Sequence, residues 1–164
     1  MPLLLREIRR SRWYTQGWLE PGHAPADSLW DLLTEGNVLS CWLVQDDRGN
    51  FERVVAAISS KGERPENFDY ALVPLDAVQD ARIRVERTDS DTFDDEANHN
   101  WHVHLPELTA AKVSELARLI MPSDRRGRIP HKQVAGWMKQ AVWDHHLRMD
   151  DLRDTMRQKL LPLE

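Results

Sequence analysis

The sequence predicts an α+β fold: a small mixed sheet with packed helices in the first two-thirds, then a helical C-terminal segment. Three observations carry this expectation. Hydrophobic residues make up 41% of 164 residues, enough to build the core of one ordinary domain. Before residue 107, short runs of branched and aromatic residues alternate with stretches of helical periodicity. After it, apolar residues recur at helical spacing. The expected parts are an α/β lobe over 1–107 and a helical segment over 108–164 packed on it.

The elements follow in order. Pro21-Gly22 and Pro25 punctuate the chain, after which Asp27 or Ser28 can cap a short helix burying Leu29, Leu32 and Leu33. Gly36-Asn37 ends it with left-handed backbone. Residues 38–45 form a strand buried on both faces. A turn over 46–50 leads through Asn50, the expected cap, into a helix over 51–60 with Phe51, Val54, Val55 and Ile58 inward. A polar loop follows over 61–67, then strands over 70–75 and 83–87. This strand–helix–strand sequence is compatible with a right-handed crossover.

Residues 88–100 are acidic and poor in apolar side chains, which predicts a mobile surface loop. Thr109 caps a helix reaching Met121, with Val113, Leu116, Ala117 and Ile120 on one face. Residues 122–129 break the pattern. Pro130 then opens a helix with a stripe of Val134, Trp137, Met138, Ala141 and Val142. A third helix over 150–161 turns Leu152, Met156, Leu160 and Leu161 inward.

Composition removes several classes of function. No apolar run is long enough for a membrane span. One Cys cannot close an intramolecular disulfide, and the basic residues at the start follow a three-leucine run instead of preceding a longer one. A cytoplasmic protein with no membrane partner is therefore expected. Net charge is −5, unlike a wholesale polyanion binder. That charge is uneven, at −9 over residues 1–107 and +4 over 108–164, which suits mutual attraction or separate partners of opposite sign. The sequence contains no Walker A loop, G-x-G-x-x-G, G-x-S-x-G, H-E-x-x-H or paired C-x-x-C.

Four features remain. His102 and His104 share one face of a short strand, and with His99 or the acidic residues before them they could hold a divalent metal. The run from Asp89 to Glu96 lacks the central Gly of a calcium loop. Cys41, inside an apolar strand, is expected to be a small core residue. Two basic clusters suit phosphate: Arg9, Arg10 and Arg12 with Arg6, leading into Trp13-Tyr14, and Arg125, Arg126, Arg128 and Lys132 before and at a helix start.

Seven Trp against three Phe invert the usual aromatic balance. Trp30, Trp42 and Trp137 fall on apolar faces and are expected in the core, while Trp13, Trp18, Trp101 and Trp143 have polar neighbours. Of these, Trp13, Trp18 and Trp143 are the expected interface anchors. The leading expectation is a non-enzymatic interaction protein or complex subunit that binds another protein or a second copy, with no cofactor. Nucleic-acid association through the basic clusters comes second. A metal-dependent enzyme centred on His102 and His104 comes third.

Overall fold

The computed structural model describes residues 1–14 and 17–161. Its α+β architecture is one six-stranded sheet between two helical layers. The strands are β1 (Leu3–Glu7), β2 (Leu39–Val44), β3 (Phe68–Pro74), β4 (Glu86–Arg87), β5 (His102–Leu105) and β6 (Arg126–Ile129). They run in the order β4-β5-β2-β1-β3-β6. The directions are simpler than a mixed sheet, since each ladder is antiparallel. β2 and β3 thus point the same way with β1 between them, and helix α1 (Phe51–Ser59) connects the two.

Period-two alternation sorts the strand residues between the two layers. Leu4, Cys41, Ala71, Val73, Val103 and Leu105 face one core. This is covered by α2 (Leu75–Asp80), α4 (Ala110–Ile120) and the 3-10 segment Ala26–Leu32. Leu5, Trp42, Val44, Phe68 and Leu72 face the other. There α1 packs against α5 (His131–Trp143), which in turn meets α6 (Asp154–Leu160). Strand β1 is buried on both sides, so its run of leucines shows no alternation.

Most helices lie where periodicity predicts, including the Thr109 cap, whose hydroxyl accepts from Lys112 N. The exceptions have physical causes. The first basic cluster is divided between elements, with Arg6 in β1 and Arg10 and Arg12 in a separate 3-10 turn, Arg10–Trp13. Asn50 holds the N-cap position of α1 as expected, but its side chain makes no capping bond: it accepts from Gln45 N at 2.8 Å and donates to Leu43 O at 3.0 Å, closing the end of β2. The strand expected over 83–87 shortens to β4, and the C-terminal segment supplies β6 as well as helices. Gly127 in β6 lies under the Tyr70 ring, where a Cβ would come within 2.4 Å of ring atoms.

The acidic segment 88–100 is not a solvated loop. Residues 95–101 form helix α3, and Thr92, Asp94 and Asn98 are buried. Asp94 accepts two bonds from Arg53 of α1, at 2.7 and 2.8 Å, and caps α3 by accepting from Ala97 N. Counting charges along the chain overlooks the arginine that a neighbouring helix brings to this carboxylate.

Candidate functional site

The most organised surface is a corner built on the segment Ala26–Leu32. A 3-10 helix has three residues per turn, so positions i and i+3 share a face. Ser28 and Asp31 turn inward and are buried, as is Leu32. Trp30 turns outward at 61% exposure, Leu29 is partly exposed before it, and Leu33, in extended backbone just after the segment, is 60% exposed. This reverses two expectations from α-helical spacing: Trp30 is not core, and Leu29 and Leu33 do not form a buried face.

Asp31 holds the corner in place. Its carboxylate accepts from Arg9 N at 2.9 Å, Arg12 Nη1 at 2.7 Å and Trp13 Nε1 at 2.7 Å. Its backbone carbonyl accepts from Arg6 Nε at 2.9 Å. Three charge-assisted or ring N–H bonds to one buried carboxylate fix the 3-10 segment against the turn Arg10–Trp13. Trp13 is fully buried, so it is an internal anchor and not an interface residue. Trp18 and Trp143 are exposed, Trp143 at 80%. Trp101 is half-buried and stacks under the Arg53 guanidinium, 5.2 Å from the ring centroid.

The two basic clusters, more than a hundred residues apart in sequence, meet at this same corner. Arg128 makes a two-pronged contact with Asp69 at 2.6 and 2.9 Å, and Arg10 N donates to the same carboxylate at 3.0 Å. Arg126 donates to Trp13 O and, at 2.8 Å, to Met121 O. Arg125 donates to Leu119 O at 2.6 Å. Arg125 and Arg126 therefore satisfy carbonyls at the C-terminal end of α4, where the helix leaves its last acceptors open. Arg125 and Arg126 are half-buried and bound to carbonyls, while Arg128 is paired with Asp69 but stays 46% exposed. Lys132 lies apart, on the first turn of α5.

Arg9 and Arg10 are exposed, and neither guanidinium enters an ion pair among the described residues. The corner is electrically crowded. Burial, then the charge of Arg10, lowers the pKa of Arg126, whose Nε is buried with no hydrogen-bond partner among the described residues. Asp69 is held below the usual carboxylate range: burial works to raise it and is outweighed by Arg128 and the Arg10 N–H.

The histidines do not converge. His102 and His104 lie on one face of β5 with ring centroids 5.1 Å apart, as the alternation requires. His99, on α3, instead faces Asp89 at 3.3 Å in an exposed pair. Among the described residues no group of three His, Cys, Asp or Glu side chains gathers around one point. Cys41 belongs to the opposite core from this face, and burial pushes its thiol up to about 12, so it is not poised as a nucleophile.

His102 gives a pH signature. Burial is the main cause that lowers its pKa from the ordinary 6.5, against the pull of Thr88 O, which accepts from Nδ1 at 3.2 Å. The unfolded chain therefore binds a proton at a pH where the folded chain leaves this ring neutral. The stability this group contributes is complete above 6.5 and is lost as pH falls below it toward the folded value. In urea denaturation from about pH 7.5 to 5, His102→Gln is expected to flatten this part of the slope. An unchanged slope would contradict it.

Removing the Asp31 carboxylate strands Trp13 Nε1, Arg9 N and the Arg12 charge. Asp31→Ala is expected to cost roughly 3 kcal/mol or more in chemical denaturation, and Asp31→Asn less, because it keeps an acceptor. A change within about 0.5 kcal/mol for the alanine variant would overturn this assignment.

Comparison of the chain with protein-family models, curated proteins and solved structures finds no match, so function is argued from these side chains alone.

Proposed function

We propose that this chain is a cytoplasmic interaction subunit that binds another protein through the corner carrying Leu29, Trp30 and Leu33. The observation that carries this is the display of Trp30 and Leu33 on a segment whose inward residues are pinned. An exposed Trp beside an exposed Leu is an apolar anchor of the type that dominates protein interfaces. Pinning by Asp31 means little conformational freedom is lost when a partner closes over it. Trp30 also borders a cleft of about 210 Å³ whose charged lining is balanced, with Arg6 and Arg9 against Glu7 and Asp31. The partner that fits is a protein segment with an apolar side chain for Trp30 and Leu33 and a carboxylate for the exposed Arg9. Among the described residues no helix is long and apolar enough to cross a membrane.

The test is recovery of the partner on tagged wild-type chain, its identification, and titration calorimetry of the purified pair. Trp30→Ala with Leu33→Ala is expected to weaken binding by about thirtyfold or more, the scale of a hot spot. Light scattering of the chain alone reports whether a second copy fills the surface instead. A strict monomer that recovers nothing, or a partner indifferent to the double variant, contradicts the proposal.

The exposed Arg9 and Arg10, outside any ion pair among the described residues, favour a second proposal, association with nucleic acid, with the exposed Tyr14 as a stacking surface. Arg9 and Arg10 are the residues to change, because the arginines of the second cluster hold the fold. Replacing both by Ala is expected to reduce the salt slope of single-stranded DNA binding by about two. No binding at about 50 mM salt would remove this proposal.

A further inference from the structure

A cleft of about 630 Å³ lies away from that corner, between the loop Arg64–Asn67 and the start of α5, with Lys159 of α6 on its wall. We infer that it binds a small phosphate ester, with the phosphate held among Arg64, Lys132 and Lys159 and the organic body against Pro65 and Ala135. Three separate stretches of chain contribute the cations. Arg64 is partly occupied, its Nε 3.2 Å from Glu66 in an exposed pair. Lys132 and Lys159 make no hydrogen bond or ion pair among the described residues, unlike Lys61 and Lys112, which both find oxygen partners. Two lysines and an arginine face one carboxylate, Glu66, so the cleft carries excess positive charge in a chain whose net charge is −5.

The end of helix α5 does not supply this site. Asn67 Oδ1 already accepts from His131 N at 2.9 Å, which fixes the loop to the helix and sets the width of the cleft. Recognition falls to the side chains. Lys is a flexible point charge suited to a phosphate reached from several directions, and Arg adds a planar fork. The volume is in the range of small-ligand sites, and Pro65 and Ala135 give it an apolar floor. A bare ion would leave that floor unused, which is why an ester is the ligand class.

The experiment is titration of 15N-labelled full-length chain with inorganic phosphate, phenyl phosphate and a single-stranded oligonucleotide, followed by amide shifts. The variant is Lys132→Ala with Lys159→Ala, both at positions free of structural partners, so its spectrum is expected to keep the wild-type dispersion. Phenyl phosphate is expected to shift Asn67 and residues 132–135 saturably, more tightly than inorganic phosphate. The double variant should lose affinity on the order of tenfold or more. Absence of saturable shifts, equal affinity in the double variant, or no preference for the ester over the ion would each overturn the inference. Saturable lysine-dependent binding by the oligonucleotide alone would assign the cleft to a nucleic-acid backbone and overturn it likewise.

Discussion

A carboxylate taken out of water is tolerated only if the surrounding protein replaces its hydration, and three donors do this for Asp31. Bonds from Arg9, Arg12 and Trp13 reach one side chain, while Arg6 takes the carbonyl behind it. Those donors come from the end of the central strand and the turn that follows. The result ties the middle of the sheet to a short 3-10 segment with too little regular hydrogen bonding to stand alone. Because the inward side of that segment is fixed, its outward side is fixed too. The exposure of Trp30 and Leu33 is thus a consequence of polar burial and not of a loose loop.

The same device recurs. Asp69 takes Arg128, and Asp94 takes Arg53, each joining segments distant in sequence. Of the three, Arg128–Asp69 crosses the boundary between the acidic front and the basic tail. The uneven charge along the chain is therefore partly spent inside the fold. Among the exposed cations without an ion pair in the described residues are Arg9 and Arg10 at one corner and Lys132 and Lys159 in the cleft beside α5, a grouping the sequence clusters do not suggest.

Much of the fold is legible in the sequence because burial on one face leaves a periodic trace. Helices α1, α4 and α5 and strands β2 and β3 carry that trace and fall within a few residues of where it places them. β1 leaves none, since both its faces are covered and arginines follow its leucines. The segment 26–32 misleads in a specific way: three residues per turn place Ser28 with Asp31 inside and leave Trp30 outside, and Leu33, in extended backbone just past it, is exposed as well. Within the candidate surface, the arginines are visible as a composition feature. Which of them are free is not, because that depends on carbonyls of α4 and on Asp69, brought close only by folding. Arg64 and Lys159 in the large cleft stand alone in sequence and give no local signal.

The central claim is that Trp30 and Leu33 are covered by a partner in the cell. Hydroxyl-radical footprinting compares their oxidation in the purified chain with that in complexes recovered intact from the cell. The account expects both residues to be reactive when the chain is alone and protected in the complex, with the already buried Trp13 unchanged. Equal reactivity of Trp30 and Leu33 in the two preparations, with protection elsewhere on the surface, would contradict it.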